Sequence, residues 1–580
     1  MQSHIPCFLL ALLFAVGVTA LVIPASNIVA HGVRAAVAPP AVPASNPSTV
    51  EPGPVPNYGF IHPSGGHLYD GLGNLWDFAT FNSPHLLTCE PFEVDDTMRT
   101  LAAGFARPVT RTYVLQVTSI NIDASDAHIV SWDNTTMDWV YNEAMFQQMD
   151  YVLATAAKYG VKVVHPIINQ DYGSQDSNYA GNWADLIRMR YGFATYEDTY
   201  AVNWFADPVM LDSFKLIITY LLNRVNTVNG VRYGDDPTFL AHETGNEMNY
   251  LGYLPAPGNW TVAVAAHIKS LAPNTMVLDG SLARNNYTDE SFALEALQSP
   301  LVDLFSYHYY RDNPPAYDYR RINADSAYVQ SFGKTYVVGE HGFYANYSEY
   351  EDFYQRQKES NTAGAMVWSI RPHSAEGGFI THGEGDGIFS YHAPGWSPQQ
   401  TADFDPLELG IIHITRRASY TMLDEPTPAQ FPIPNAPEVW VANNGTSGTG
   451  LSWRGGAWAQ HYEVWSVQLG HLYWVKIATY VLDDVDAGDA YFTIDASAPE
   501  QTITPTYPTL PTNAPNIAWS DPKLPQTTGH PGWLPFKREE APAARDAPQP
   551  DLNWKSAFYM MRGVSVDGIA GPFSNVVIAY

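Results

Sequence analysis

Short apolar runs alternate with longer stretches of helical period between about residues 57 and 420. Runs such as Met276–Asp279 and Gly364–Ser369 are dominated by apolar side chains and do not alternate with polar ones. Such runs are typical of strands that are buried on both faces of a parallel sheet. Strand and helix recur about eight times in this span.

This repetition predicts an α/β fold, a closed parallel (β/α)8 TIM barrel with its helices outside, over residues 57–425. An open, doubly wound sheet is the alternative, although no Gly-x-Gly-x-x-Gly motif follows a strand. The predicted strands are Leu75–Phe81, Pro108–Val114, Val161–Ile168, Thr238–Ala241, Met276–Asp279, Leu301–Tyr307, Thr335–Gly339 and Gly364–Ser369.

The pattern changes after residue 425, where a Pro-rich linker leads into short alternating runs. Residues 433–580 are therefore predicted to form a small antiparallel β-sandwich. A Pro-rich, polar insertion at about 499–551 interrupts it. The predicted strands of this module lie at Glu438–Ala442, Gly450–Trp453, His461–Ser466, Leu472–Ala478, Ala557–Val566 and Asn575–Tyr580.

The N-terminus has the pattern of a secretory signal, predicted at residues 1–20. Phe8–Val16 is an apolar core, and Val18–Ala20 offers small residues for cleavage. A membrane anchor is the alternative, but the apolar run is short for a bilayer span. A Pro/Ala-rich lead follows at residues 21–56. We therefore expect a secreted, extracellular protein with no membrane contact after the signal is removed.

Composition narrows the possible partners. The net charge of −29 and the pI near 4.8 argue against nucleic acids and anionic membranes as partners. A neutral polysaccharide is compatible with this charge. Only Cys89 remains once Cys7 leaves with the signal, so no internal disulfide is expected. We expect a monomer. The glycosylation sequons are at Asn134, Asn259, Asn286, Asn346 and Asn444.

Two strand ends carry carboxylates. The run Thr238–Ala241 leads into Asn246-Glu247, and the run from Thr335 leads into Glu340. Side chains at the carboxyl ends of barrel strands face the active site. Two carboxylates there are what retaining glycoside hydrolysis needs, one as acid/base and one as nucleophile. A polar loop that holds Asn and Glu by chance is the alternative for the first motif alone.

Other strand ends offer supporting groups. Arg111 near a carboxylate would hold it ionised, and Tyr310 and His308 would hydrogen-bond or orient it. Trp368 could stack on a sugar ring. A surface ion pair, a core histidine and a core tryptophan are the respective alternatives. Further candidates for binding or supporting roles are Asn82, Asn169 and His242.

Other chemistries find less support. The chain has no His-Glu-x-x-His, Gly-x-Ser-x-Gly or phosphate-loop motif. Glu384 and Asp386 could bind a cation, but a barrel loop near the substrate is the favoured interpretation. We expect no metal and no organic cofactor.

With these motifs in place, the barrel resembles glycoside hydrolase family 5, in the clan A retaining glycosidases, and looks closest to fungal endo-β-1,4-mannanases. The tail resembles a fibronectin type III-like module through Leu451–Trp453, Tyr462–Val464 and Arg562–Ser565. The motifs that carry the resemblance of the barrel are Arg111–Tyr113, Tyr159–Asn169, Tyr233–Ala241, Gly245–Glu247, His308–Tyr310, Val338–Glu340 and Trp368.

The resemblance implies that Glu247 is the acid/base and Glu340 the nucleophile. It also implies that Asn246 bonds a sugar 2-hydroxyl and that Trp368 lines the subsite before the cut. This chain has His242 where mannanases of this kind carry Trp. It also has Met248-Asn249 where they carry Pro-Arg. That departure leaves the sugar specificity open.

The sequence therefore predicts a secreted retaining glycosidase that cleaves β-1,4-linked polysaccharide, with mannan as the main candidate and double displacement as the mechanism. We expect the two carboxyl groups to lie ~5–5.5 Å apart, and burial and the neighbouring charge to raise the pKa of Glu247. A β-glucanase or cellulase-like enzyme and an exo-acting glycosidase are alternatives with the same site. A catalytically silent carbohydrate-binding or wall-associated protein is the alternative of another class.

Overall fold

The computed structural model describes residues 58–579 with ten gaps: 171–179, 251–253, 283–291, 311–317, 386–387, 396–403, 445–447, 469–472, 484–490 and 494–556. The predicted signal, lead and Pro-rich insertion lie outside the described residues and stay predictions. Within the described part, no helix combines the length and the apolar character that a membrane span requires.

Eight strands and the helices between them form the first unit. The strands are β1 Phe78–Phe81, β2 Val109–Arg111, β3 Lys162–Pro166, β4 Phe239–Glu243, β5 Met276–Asp279, β6 Leu304–Tyr310, β7 Thr335–Gly342 and β8 Gly364–Val367. The helices are α1 Pro91–Gly104, α2 Glu143–Tyr159, α3 Trp183–Tyr191, α4 Tyr196–Thr199, α5 Pro208–Asn223, α6 Gly258–Leu271, α7 Leu294–Gln298, α8 Ile322–Gln330, α9 Tyr347–Glu359 and α10 Glu408–Thr421.

The eight strands pair in parallel in the order β1-β8-β7-β6-β5-β4-β3-β2. The two end strands are joined by two side-chain hydrogen bonds and, at their carboxyl ends, by the Ser83 N–H, which donates to the Arg111 carbonyl at 2.9 Å. Thr80 Oγ1 donates to the Val109 carbonyl at 2.5 Å, and Thr110 Oγ1 donates to the Phe81 carbonyl at 2.9 Å. The predicted barrel is therefore confirmed as a nearly closed one. The doubly wound alternative is wrong because its strand order would reverse at a switch point.

Two apolar layers explain why these segments fold together. Inward-facing side chains such as Val109, Leu240 and Met366 fill the barrel interior, and Trp76 packs against them from the segment before β1. A larger cluster lies between the strands and the surrounding helices. Strands buried on both faces need apolar side chains on both, which accounts for the apolar runs of the sequence.

Several element boundaries differ from the sequence prediction. The helical period of the sequence predicts a helix over Pro208–Val228. The helix ends at Asn223, because Arg224 leaves helical geometry and its guanidinium pairs with Asp150 at 2.6 Å and with Glu143 at 2.8 Å. The sequence pattern does not predict the helices α3, α4 and α10, nor the hairpin formed by Ile129–Asp133 and Asp138–Tyr141.

Two antiparallel sheets follow the barrel, in the orders β9-β10-β13 and β12-β11-β14-β15, with β16 also paired to β14. Both sheets contribute side chains to one buried cluster, Trp453 from the first and Tyr462 from the second among them. The strands are β9 Glu438–Asn444, β10 Gly448–Arg454, β11 His461–Gln468, β12 Val475–Val481, β13 Tyr491–Thr493, β14 Ala557–Val564, β15 Ala570–Phe573 and β16 Val577–Ala579. We call residues 438–579 the C-terminal module.

The module and the barrel share apolar surface. Trp458 is buried among the outer core residues of the barrel, and its indole Nε1 donates to the Thr100 carbonyl of α1 at 2.9 Å. A Cβ on Gly104 would lie 2.1 Å from the Trp458 ring. Gly104 is therefore required by the close approach of helix and indole.

We predict that Gly104→Ala destabilises the protein by about 1–3 kcal/mol, although alanine is the better helix former by ~1 kcal/mol. The added methyl group would displace Trp458 from its site. Urea unfolding at pH 7 measures the change. The control is Ala103→Gly at the exposed neighbouring position, which should cost ~1 kcal/mol through helix propensity alone. A stabilised Gly104→Ala variant would show that the indole does not occupy this place.

Candidate active site

The carboxyl ends of four barrel strands bring charged side chains together. Arg111 ends β2, Glu243 ends β4, His308 lies near the end of β6 and Glu340 lies near the end of β7. Glu247 follows β4 in the loop that begins at Thr244. Because the strands are parallel, side chains that are far apart in sequence converge at this one end.

Arg111 lies at the centre of this cluster and has no exposed side-chain surface. Its Nε and Nη2 donate to the two oxygens of Glu243 at 2.6 and 2.9 Å, and its Nη1 donates to Glu340 Oε1 at 2.7 Å. Nη2 also donates to Asn246 Oδ1 at 2.7 Å, and the amide of Asn246 donates to Asn169 Oδ1 at 2.8 Å. The guanidinium thus fixes three strand ends relative to one another.

Opposing effects act on the pKa of Arg111. Burial alone would lower it, but the charges of Glu243 and Glu340 outweigh burial, so the pKa is raised and the guanidinium stays charged. Glu340 accepts two hydrogen bonds, one on each oxygen, from Arg111 and from the Tyr310 hydroxyl. The sequence prediction that Arg111 and Tyr310 contact Glu340 agrees with this geometry.

Glu247 is held on both carboxylate oxygens. His308 Nδ1 lies 2.8 Å from Oε1, and the Gln170 amide donates to Oε2. The Asn249 amide donates both to Gln170 Oε1 and, at 2.9 Å, to the Glu247 carbonyl. The Glu247 backbone has φ 50°, a left-handed conformation that costs a non-glycine residue energy and needs such support.

A neighbouring backbone contact leaves no room for a side chain. A Cβ on Gly280, directly after β5, would lie 1.7 Å from the Gly245 carbonyl oxygen. The turn that carries Asn246 and Glu247 can therefore approach β5 closely only because Gly280 has no side chain.

An oxygen of Glu247, a ring nitrogen of His308 and an oxygen of Glu340 all lie within 4.8 Å of one another. Three such groups could hold a metal ion, and they could equally share a proton. Here His308 Nδ1 lies 2.8 Å from Glu247 and 3.4 Å from Glu340, so the ring bridges the two carboxylates directly. Among the described residues, this is the one cluster with metal-ligand spacing.

The environment raises the pKa values of His308 and Glu340. Burial lowers the pKa of His308, but the charges of Glu340 and Glu247 outweigh it, so the net shift is upward. Burial also raises the pKa of Glu340, and His308 and Arg111 offset this effect only in part. Arg111 and His308 thus favour the ionised form of Glu340, as the sequence predicts for Arg111, and burial opposes them.

Aromatic side chains border the charged cluster. The Trp368 indole is half-buried, packs edge-to-face on Tyr113 with ring centroids 6.0 Å apart, and donates to Glu384 Oε1 at 2.8 Å. Glu384 thus has a hydrogen-bonding role beside Trp368. Asp386, its proposed partner in a cation site, lies outside the described residues.

Two sequence-predicted residues do not join the cluster. The Asn82 amide donates to the Gly339 carbonyl at 3.0 Å and to the Met366 carbonyl at 3.3 Å, which ties β7 to β8. His242 packs against Phe239 in a tilted arrangement, with ring centroids 4.4 Å apart, and its buried ring nitrogens have no hydrogen-bond partner among the described residues. Asn169 contacts the cluster through Asn246, whose amide donates to Asn169 Oδ1.

Sequence reasoning missed three residues that shape the site, namely Glu243, Gln170 and Asn249. Glu243 ends β4 and so follows the same rule that identified the other strand-end groups. In the sequence it was considered only with His242, as part of an incomplete His-Glu-x-x-His motif. Gln170 follows Asn169, and its contact with Glu247 spans 77 residues of sequence. No local pattern reports such a contact.

Comparison with known proteins adds a family context. Residues 112–346 match the profile of glycoside hydrolase family 5 beta-mannosidase-like proteins. The chain is 36% identical over 140 residues to Mannan endo-1,4-beta-mannosidase 1 of Oryza sativa subsp. japonica, a match that covers 24% of this chain and 31% of that protein. It is 24% identical over 288 residues to Mannan endo-1,4-beta-mannosidase 8 of the same plant, covering 42% and 74% of the two chains.

Among solved structures, the endo-1,4-beta-mannanase of Rhizomucor miehei aligns over 54% of this chain and 90% of that one, with 22% identity and a TM-score of 0.44. The chain spans about a third of the length of the first of these plant relatives. The profile match and the mannosidase relatives together support a glycosidase.

We predict that Arg111→Met lowers the free energy of unfolding by about 3–5 kcal/mol at pH 7, because Glu243 and Glu340 both lose the buried guanidinium that neutralises them. Without it, the folded-state pKa of Glu340 rises further above its unfolded value. The penalty is therefore full at pH 7 and shrinks as the pH falls towards 5, where the carboxyl group takes up a proton.

Denaturant unfolding at the two pH values measures this difference. The control is Arg99→Met, which removes a partly exposed partner of Asp95 and should cost less than about 1 kcal/mol. A penalty of equal size at pH 5 and pH 7 would contradict the account.

Proposed function

We propose that this chain is a retaining glycoside hydrolase that cleaves β-1,4-linked polysaccharide, with mannan as its substrate. The observation that carries the proposal is the pair Glu247 and Glu340 at the ends of β4 and β7, with an oxygen of each within 4.8 Å. Retaining enzymes place their two carboxyl groups ~5–5.5 Å apart, whereas inverting ones need ~6.5–9.5 Å to admit a water. The short separation supports direct attack by a carboxylate.

Glu340 is proposed as the nucleophile. The Arg111 guanidinium binds one of its oxygens and the Tyr310 hydroxyl the other, which fixes the direction of the carboxylate. In the first step an oxygen of Glu340 attacks the anomeric carbon, and the bond to the leaving sugar breaks. Loss of the negative charge on Glu340 in the glycosyl-enzyme is accommodated because burial already disfavours that charge.

Glu247 is proposed as the acid/base. It gives a proton to the glycosidic oxygen in the first step and takes one from water in the second. His308 Nδ1 lies 2.8 Å from Glu247 and 3.4 Å from Glu340, so the ring can orient the two carboxyl groups relative to each other. This role includes the prediction from the sequence that the pKa of Glu247 is raised, which would keep its proton available for the leaving group. Trp368 and Asn246 are proposed to contact the sugar at the cleavage point.

The preference for mannan is supported by the mannosidase relatives. One feature supports β-glucan as a second candidate. Where mannanases of this kind were expected to carry Pro-Arg, Met248 is fully buried and Asn249 points its amide inward to Gln170 and Glu247. These two side chains therefore supply no cation for the sugar on the leaving-group side.

The proposal also includes the remaining predictions from the sequence. We propose export through the N-terminal signal, glycosylation at sequons such as exposed Asn134 and Asn259, and a monomeric state. We also propose that the two antiparallel sheets of the C-terminal module are the layers of a fibronectin type III-like sandwich. The buried cluster to which both sheets contribute supports this arrangement. Similarity to fungal enzymes in particular stays a prediction.

The first experiment compares wild type, Glu340→Gln and Glu247→Gln on mannan, galactomannan and β-glucan by release of reducing sugar. Glu340→Gln should lower kcat at least about a thousandfold on every substrate that is cleaved, since the amide cannot replace the carboxylate as nucleophile. Glu247→Gln should lose about 10²–10⁴-fold on polysaccharide. On an aryl glycoside, whose leaving group needs little protonation, the rate of the first step in Glu247→Gln should fall by a smaller factor.

The matched control is Glu351→Gln, which removes a carboxylate on α9 that pairs with Arg417 far from the strand ends. Its activity should stay near that of wild type. Activity on mannans alone supports the substrate assignment, and activity on β-glucan alone moves it to the second candidate. A wild-type protein that binds these polysaccharides but cleaves none would support the silent binding protein instead.

A second prediction concerns pH. The raised pKa of Glu340 places the acid limb of kcat/KM above pH 4.5, the ordinary value for a glutamate. Protonated His308 lowers the pKa of Glu340, so His308→Gln removes this effect and should move the limb to higher pH. A pH profile of each variant, with exposed His62→Gln as control, measures the shift. A limb that moves to lower pH would contradict the assigned roles.

A further inference from the structure

His373 joins three parts of the molecule that are separate in sequence. Its Nδ1 lies 2.9 Å from Asp96 Oδ2 of α1, and its Nε2 lies 3.3 Å from Asp483 Oδ2 of the C-terminal module. Its backbone N–H also donates to Asp96 Oδ2 at 2.9 Å. His373, Asp96 and Asp483 are all at least nine-tenths buried. A buried imidazole between two carboxylates is an ion cluster, and each member depends on the others.

The segment that carries His373 leads directly to the rim of the site. Four residues separate Trp368 from His373, and the chain then returns through an antiparallel bridge between His373 and Phe379. It continues to Glu384, which accepts the hydrogen bond of the Trp368 indole. We call residues 369–385 the β8 loop. Both of its ends lie beside Trp368, and its middle lies against α1 and the module.

Further contacts from both sides hold the middle of this loop. The Ala375 N–H donates to Glu93 Oε1 of α1 at 3.0 Å, and Arg454 Nε of the module donates to the Ala375 carbonyl at 2.5 Å. Phe379 belongs to a small apolar cluster against which Leu482 of the module packs. A Cβ on Gly455 would lie 2.1 Å from the His373 ring, so the module backbone approaches the ring closely.

The charge balance favours a permanent connection. Burial lowers the pKa of His373, but Asp96 and Asp483 outweigh it and raise the pKa to about 10. The imidazole therefore stays protonated across the working range of a secreted enzyme. Asp483 is held in turn by the Trp453 indole, which donates to its Oδ1 at 2.6 Å. The position of the loop is thus linked to the core of the module.

We propose that His373 is a positioning residue through which the C-terminal module holds the β8 loop, and with it Glu384, against Trp368 at the substrate-binding rim. The module is then part of the binding site rather than an appendage. This inference rests on the proposed function, because it concerns the binding of a sugar beside Trp368. The loop reaches the proposed sugar site through the contact of Glu384 with Trp368, so loosening it should weaken binding and leave the bond-breaking step intact.

The test uses the full chain with Asp483→Asn, which removes a charge facing His373 while keeping the shape of the side chain. KM for the polysaccharide that wild type cleaves should rise about tenfold, with kcat within about twofold of wild type. Arg454→Met should raise KM in the same direction without removing a buried charge. The control is Glu463→Gln, which breaks ion pairs with Lys476 and Arg562 inside the module and should leave KM unchanged.

Hydrogen exchange on the same variants separates this inference from the proposed function. Amides of residues 373–380 should exchange at least about tenfold faster in Asp483→Asn and Arg454→Met, while those of β7 stay protected. If wild type cleaves no glycoside but exchange responds, the proposed function fails and the link between module and loop stands. Unchanged exchange, or a fall in kcat at constant KM, would overturn the inference. If Asp483→Asn does not fold, Arg454→Met decides between these outcomes.

Discussion

The burial of one positive charge constrains the whole arrangement. Arg111 has no exposed side-chain surface, and its guanidinium is neutralised by Glu243 and Glu340 from two other strands. A charge in that position is tolerable only if its partners are fixed in place, which requires that β2, β4 and β7 end at the same level. The closed parallel barrel supplies that alignment, and its apolar interior lies directly beneath the cluster.

The same constraint divides the two carboxylates into different environments. Glu340 is joined to the permanent charge of Arg111, whereas Glu247 is joined to the titratable ring of His308 and to the neutral amide of Gln170. Carboxylates whose surroundings differ in this way can take different roles within one site. The left-handed backbone at Glu247 is part of this arrangement. The Asn249 amide stabilises that turn through the Glu247 carbonyl and also orients Gln170, which contacts the Glu247 carboxylate.

Much of this could be predicted from the sequence. The barrel follows from strands that are apolar on both faces, and the carboxylates follow from the rule that strand ends face the site. His242 shows where the rule fails. The pairing of β3 with β4 shifts register between Val163 and Val164, so alternation along β4 is broken. The imidazole then packs against Phe239, a member of the outer core, and does not join the charged cluster.

Long-range contacts set the other limit. Gln170 and Asn249 meet across 79 residues, and His373 meets Asp96 across 277. Each of these side chains is ordinary in its local sequence, and its role exists only once the chain has folded. The C-terminal module illustrates the same point, because its strands could be predicted from alternation, whereas its contact with the β8 loop could not.

The most direct test of the central claim is the anomeric configuration of the first product. Proton NMR monitors this configuration during hydrolysis of a β-linked mannan oligosaccharide. Direct attack by Glu340 followed by water requires two inversions, so the account predicts that the β-anomer appears first and then mutarotates. An α-anomer as the first product would show a single displacement. It would contradict the role of Glu340 as nucleophile.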